Sequence, residues 1–276
     1  MTGTLYIVAT PIGNLSDLTP RAAETFAQAD FIAAEDTRVT LKLLNHLGLK
    51  KPMVSYYEHN LAERGEEILA RIEAGESCAM CSDAGMPAIS DPGELLVRDA
   101  HRRGIRVVPV PAASASVTAL AVSGLPTGRF VFEGFLPMNR RTRQRHLEEL
   151  KGETRTVIFY EAPHKLRATL DDLAGAFGDE RALTVCRELT KLHEEIWPAT
   201  IGEARARYAE EPPRGEFVLV MAGAEPPAEP ELTLEEAAAK ARQWADEGEP
   251  LAAAAKRAAA GTLFSKSEVY KAALEL

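Results

Sequence analysis

The sequence predicts an α/β protein made of two successive α/β domains and a small C-terminal helical extension. Three observations carry this. Short apolar runs alternate with stretches of helical apolar spacing over the first hundred or so residues, a pattern that builds a mainly parallel sheet. The alternation stops at a segment rich in proline and small residues, then starts again. An alanine-rich tail follows a run of prolines and glutamates. With 276 residues, 46% of them hydrophobic and 26% charged, the chain is long enough for two modest cores and has neither disordered nor fibrous composition.

In the first domain, Leu5–Ala9, Phe31–Ala34, Met53–Ser55, Cys78–Cys81 and Arg106–Val110 read as strands. Between them Arg21–Gln28, Thr37–Leu47, Leu61–Glu73 and Gly93–Arg103 have helical spacing. Thr19-Pro20 is an N-cap followed by proline at the first helical position, and Gly48 and Gly75 fall where helices should stop. Pro109–Ser116 reads as a hinge rather than a continuing element. Beyond it Phe130–Glu133, Thr156–Tyr160, Leu183–Arg187 and Glu216–Met221 read as strands, and Arg140–Leu150 and His164–Phe177 as helices. The expected domains are residues 1–112 and 113–224, with 225–276 as linker and extension. Ala224–Glu231 is the solvated linker, and Thr233–Glu247, Leu251–Ala260 and Ser265–Leu274 are the helices of the extension. A helix-turn-helix role is open for that extension, but its mixed charge favours simple packing or dimer support.

The net charge of −9 works against diffuse polyanion binding, so any nucleic-acid site must be a local basic patch. The apolar run Leu5–Ala9 is far too short for a membrane span and no basic stretch precedes it; the expectation is a cytoplasmic protein without a membrane partner. Cys78 and Cys81 form a C-x-x-C, which invites a redox or zinc reading. On a strand, positions three apart face opposite ways, and no second cysteine pair or nearby histidine completes a zinc site. Both read as core residues, and no metal is expected.

The loop Ala9–Leu15 after the first strand has one glycine, not the G-x-G-x-x-G of a dinucleotide site, so nicotinamide chemistry ranks last. Ser82–Gly93, between a strand and a helix, holds two aspartates and two prolines among its twelve residues. A stiff loop at that place can present backbone amides and carbonyls to an adenine, a ribose or an amino-acid group. An ordinary turn with Asp91 as a helix cap fits the residues equally well.

Taken together, Val8–Leu15, Ala34–Arg38 and Ser82–Gly93 resemble the tetrapyrrole-methylase superfamily. Tyr56–Asn60, Phe132–Pro137, Ile158–Glu161 and Arg187–Lys191 narrow the resemblance to its branch that methylates the ribose 2′-oxygen of a cytidine in small-subunit ribosomal RNA. The match runs in order along essentially the whole chain. It implies S-adenosyl-L-methionine held between two α/β domains, contacted by Pro11, Asp83, Ala84, Met86, Ser90, Ser114 and Ala115 on one side. Phe159, Tyr160, Arg187 and Ala222 would close the site from the other. It also implies a homodimer. Two positions depart from the family pattern. Its hinge usually reads Pro-Gly-Pro-Ser-Ala, whereas this chain has Pro111-Ala112-Ala113-Ser114-Ala115, and Ala112 disfavours a positive-φ turn. Asn139 stands where related sequences commonly carry lysine.

Residues 129–167 hold nine Lys or Arg against five Glu, with Arg140, Arg141, Arg143 and Arg145 clustered, an excess able to dock an RNA backbone. The competing reading pairs these arginines with Glu148 and Glu149 along a solvated helix face. Glu161 and Glu188, at strand ends, are the candidate general bases for activating a ribose hydroxyl. Asp36, Arg38, His59 and Lys191 are further candidate substrate contacts. Salt bridging or capping accounts for each glutamate as well as catalysis does. The alternatives are a methylase of a tetrapyrrole precursor or a protein side chain, and a non-catalytic RNA-binding assembly factor.

Overall fold

The computed structural model describes residues 2–225, 232–260 and 262–276. The first sheet contains β1 (Thr4–Val8), β2 (Phe31–Ala34), β3 (Met53–Ser55), β4 (Cys78–Cys81) and β5 (Arg106–Val110), ordered β3-β2-β4-β1-β5 and parallel throughout. Parallel pairing needs crossovers, and α1 (Pro20–Gln28), α2 (Thr37–His46), α3 (Leu61–Glu73) and α4 (Glu94–Arg102) provide them. Because helices cover both faces, β2 and β4 are buried along their whole length. Cys78 packs with Leu5, Phe31 and Ile68 on one face, and Cys81 with Val8, Phe26 and Leu44 on the other. The two thiols therefore point apart, and burial pushes the Cys81 thiol up to about 12. Both cysteines are free.

A second sheet holds β6 (Phe130–Phe135), β7 (Thr156–Glu161), β8 (Ala182–Arg187), β9 (Glu195–Thr200) and β10 (Phe217–Met221), in the order β6-β7-β10-β8-β9. Only β6 and β7 are parallel; β10 runs against both β7 and β8, and β9 against β8. One face is covered by α6 (Arg140–Glu149), α7 (Leu166–Phe177) and α8 (Ile201–Glu210), which bury Val157, Phe159, Val185 and Leu219. The other packs Ile158, Cys186, Val218 and Val220 against α5 (Ala115–Val122) and Ile12 of the first-sheet loop. Both sheets lie in one compact unit, Met1–Ala224.

Several elements differ from the sequence reading. Only Pro111–Ser114 of the expected hinge is irregular; its ends belong to β5 and to α5, whose eight residues are nearly all apolar or small and so show no helical period. Ala112 does not adopt positive φ. The strand at Glu195–Thr200 went unread because of Pro198, which an edge strand tolerates. Helix α8 begins with a capping box between Thr200 and Glu203, a signal present in the sequence at Thr-x-x-Glu. β6 continues to Phe135 through a bulge at Gly134, where φ is +60°.

The C-terminal unit contains α9 (Leu234–Asp246), α10 (Leu251–Ala259) and α11 (Lys266–Leu274) around an alanine core of Ala237, Ala241, Ala254, Ala258 and Ala273. Capping boxes at Thr233/Glu236 and Ser265/Glu268 start α9 and α11, and Arg257 lies over the Trp244 ring at 3.4 Å. Of the predicted linker Ala224–Glu231, residues 226–231 lie outside the described residues.

Adjacent strand residues Phe159 and Tyr160 have opposite duties. Phe159→Ala should lower stability in urea unfolding by about 3–5 kcal/mol through the cavity it leaves. Tyr160→Phe, losing one hydroxyl hydrogen bond, should cost only about 1 kcal/mol.

Candidate active site

The carboxyl ends of the first-sheet strands converge on one edge, where an open parallel sheet presents its loops. The loops after β1 and β4 are tied by a two-residue antiparallel bridge. Thr10 N donates to Gly85 O at 2.9 Å, Gly85 N donates to Thr10 O at 3.0 Å, and the Thr10 hydroxyl donates to Ser82 O. Gly85 takes φ of +83°, and its missing side chain lets Ile12 approach. The loop also holds Ala88 and Ser90 at positive φ, a costly backbone for non-glycine residues, and Ser90 Oγ abuts Gly134 of the opposing sheet.

Between the two sheets lies a cavity of about 400 Å³. Ile12, Glu35, Asp83, Met86, Ile89 and Asp91 supply its first-sheet wall, with Ala84 and Gly85. Ser114 and Ala115 open the N-terminus of α5 into it. Phe135, Tyr160, Leu189, Phe217 and Val218 line the other side. The Tyr160 hydroxyl accepts from Ser116 N at 3.0 Å, and its ring meets Phe135 edge-on at 5.6 Å.

Three carboxyls in this wall are unusual. Burial raises Glu35 above its ordinary value, and Asp91, Asp83 and Asp36 nearby add repulsion. Burial likewise raises Asp83 and Asp91 despite hydrogen bonds from Asp36 N and Ser82 that favour their charged forms. An acidic, partly desolvated cavity suits a cation.

Of the residues expected to hold the cofactor, Asp83, Ala84, Met86, Ser114, Ala115 and Tyr160 meet at this cavity. Pro11 and Ser90 sit in its loops, but their neighbours Ile12, Ile89 and Asp91 form the wall. Phe159, next to Tyr160, faces the helices across the sheet, as strand alternation requires. Arg187 shares that far face and donates to Glu195 at 3.1 Å. Ala222 lies beyond β10, five residues from Phe217 and so roughly 16 Å along the strand.

The expected bases have partners within their own lobe. Glu161 reaches the wall but is 4% exposed, with its carboxylate accepting from Ala162 N at 2.8 Å and from the Thr169 hydroxyl at 2.5 Å. Glu188 accepts from Lys191 Nζ at 2.8 Å and Glu216 N at 2.9 Å. These bonds outweigh its desolvation and hold its carboxyl below the usual range. Lys191 also donates to Glu216 and lies across Gly13, where any Cβ would collide with it.

Among the expected substrate contacts, Asp36 caps α2 and pairs with the exposed Arg38 beside Glu35; those bonds pull its carboxyl down to about 2. His59 is on an exposed loop, edge-on to Tyr57, away from the cavity wall. Arg140 and Arg141 are exposed at the start of α6, whereas Arg143 turns inward and pairs with Asp172 on α7 at 2.6 Å. The sequence reading passed over Ile12, Glu35, Asp91 and Phe135 as wall residues, although all four lay in or beside the motifs it singled out.

The family model described as Tetrapyrrole (Corrin/Porphyrin) Methylases matches residues 4–205. The chain belongs to the tetrapyrrole methylase family. It is 49% identical to the ribosomal RNA small subunit methyltransferase I of Synechocystis sp. over 99% of this chain and 98% of that protein. The Haemophilus influenzae protein of the same name is 45% identical, over 98% and 96% respectively. A cobalt precorrin-4 methyltransferase structure superposes with a TM-score of 0.59 at 16% identity, covering 79% of this chain and 94% of that one.

This tetrapyrrole methylase uses S-adenosyl-L-methionine, and the cavity chemistry fits that molecule. Glu35, Asp83 and Asp91 would complement its ammonium and sulfonium charges, the N-terminus of α5 its carboxylate, and Ile12, Met86 and Ile89 would give apolar cover to its base. The pH dependence follows with two signs. Carboxyls whose folded pKa is raised favour the protonated, ligand-free protein as pH falls, so acidification stabilises the free chain through these groups. Pairing with the cofactor's cationic groups would need them ionised. Calorimetric affinity for S-adenosyl-L-methionine should therefore weaken as pH falls through the window just above the ordinary carboxylate range, by up to about tenfold per unit for each coupled proton. Glu35→Gln with Asp91→Asn should flatten that slope; an unchanged slope would remove these groups from the site.

Proposed function

We propose that the protein transfers a methyl group to the 2′-oxygen of a cytidine ribose in small-subunit ribosomal RNA. The observation that carries this is the extent of its likeness to the curated relatives. At 49% identity it spans 99% of the chain, including helices α9–α11, which lie beyond the region common to the wider family. A methylase of a free tetrapyrrole has no evident need of such an extension.

The bound cofactor supplies an electrophilic methyl group. The protein's part is to hold a ribose hydroxyl in line with it, keep water away and accept a proton. The stiff wall from Asp83 to Asp91, braced by the Thr10–Gly85 bridge, provides positioning. Glu35 is our candidate proton acceptor, because burial and three neighbouring carboxylates raise its affinity for a proton. Glu161 and Glu188 then act as braces of the second lobe. Phe135, 53% exposed at the cavity mouth, offers a face on which a splayed base can stack. Arg140 and Arg141 lie close behind in sequence and are free to meet phosphate, while Arg143 is committed to Asp172.

The reading includes a cytoplasmic homodimer. Exposed Val117, Val122 and Phe130 support the pairing, and sedimentation should give twice the chain mass. No described helix is long and apolar enough to cross a membrane.

Methyl transfer from labelled S-adenosyl-L-methionine to assembled small subunits, followed by nucleoside mass analysis, should yield 2′-O-methylcytidine. Methyl on a base, or transfer only to tetrapyrrole precursors, would refute the assignment. Arg140→Glu with Arg141→Glu should raise KM for the RNA substrate about tenfold while leaving cofactor affinity unchanged.

A further inference from the structure

On the helix-covered face of the second sheet, at the same end as the cavity, Arg187, Arg207, Tyr208, Glu211, Pro212 and Arg214 line a notch of about 310 Å³. We infer that this notch receives a backbone phosphate of the RNA strand whose ribose enters the cavity. The inference rests on the ribosomal RNA reading and extends it to a second contact point.

Three guanidinium groups and one carboxylate, Glu211, line the notch, and Glu195 behind it pairs with two of the arginines. Glu195 accepts from Arg187 Nε at 3.1 Å and from Arg207 Nη1 at 2.6 Å, and Glu211 accepts from Arg207 Nε at 3.0 Å. Arg207 is fixed further by the Trp197 ring, 4.6 Å from its guanidinium carbon. These pairs orient both arginines and, among the described residues, leave the two Nη groups of Arg187 and Nη2 of Arg207 without a partner. Arg214, on the loop between α8 and β10, is exposed and has no ion-pair partner among the described residues. An excess of forked donors around a concave surface is the arrangement that takes a phosphate's paired oxygens.

Tyr208 adds an independent observation. The residue is 3% exposed, yet its hydroxyl has no hydrogen-bond partner among the described residues. A buried donor left unmade costs stability, and an acceptor settling into the notch would satisfy it. The notch also lies within reach of the reacting centre. Cys186 lines the cavity and the next residue, Arg187, lines the notch, because consecutive strand residues face opposite sides of the sheet. A strand of RNA leaving the cavity over the end of β8 meets the notch.

Two substitutions test this without dismantling the ion pairs. Arg214→Gln removes an unpaired charge, and Tyr208→Phe removes only the unpartnered hydroxyl, which should leave thermal stability unchanged or slightly higher. Binding of the full-length protein to small subunits, measured across a salt series, should weaken about fivefold for each. For Arg214→Gln the slope of log affinity against log salt should also shrink by about 0.7 to 1. S-adenosyl-L-methionine affinity should match the wild type. Wild-type RNA affinity and salt slope in both variants would overturn the notch while leaving the function standing. If the unaltered protein bound no RNA at any salt, the function and the notch would both fall. Inorganic phosphate as competitor separates a generic anion site from an RNA site: weakening of its binding in the variants without loss of RNA affinity would also overturn the inference.

Discussion

The active cleft depends on the pair of hydrogen bonds between Thr10 and Gly85. Loops at the carboxyl ends of parallel strands are free to diverge, and a cavity wall made from two of them would be soft. Closing a short ladder between the loops after β1 and β4 turns them into one surface. Ile12 and the Asp83–Met86 segment then share a fixed backbone. Glycine is favoured at position 85 by its φ of +83°, and the close approach of Ile12 adds to that preference.

That fixed surface explains the division of charge. The protein is acidic overall, yet the inner wall concentrates Glu35, Asp83 and Asp91 in partial burial while Arg140, Arg141 and Arg214 are exposed outside it. A cationic cofactor and a polyanionic substrate need opposite fields, and a sheet edge with two faces separates them. Short-range placement matters more than net charge here, since exposed charges beyond about 8 Å are screened at physiological salt.

The strands of the first lobe were legible because parallel strands buried on both faces read as plain apolar runs, as in Phe31–Ala34 and Cys78–Cys81. Segments without a period were not. Helix α5 is apolar on all sides, and β9 carries a proline, so neither shows the alternation that a sequence reader seeks. The site was half legible for a related reason. Motifs mark a stretch of chain, but which member of a neighbouring pair meets the cavity depends on strand phase and loop twist. Hence Tyr160 faces the cavity and Phe159 the core, while Asp91 rather than Ser90 reaches the wall. Arg143 illustrates the same limit on a helix: its partner Asp172 belongs to α7, and no spacing within α6 reveals it.

The two positions that depart from the family pattern also find physical accounts. Ala112 keeps negative φ, so the passage from β5 to α5 is made without the left-handed turn a glycine would allow. The irregular stretch is only Pro111–Ser114, and proline already restricts its start. Asn139 caps α6, its side-chain oxygen accepting from Thr142 N at 3.1 Å. A lysine there could not accept that bond. The cap sets where the helix begins, and so fixes Arg140 and Arg141 at its first turn, near the mouth where Phe135 ends its strand. What lysine would contribute as a charge, asparagine contributes by placing two arginines.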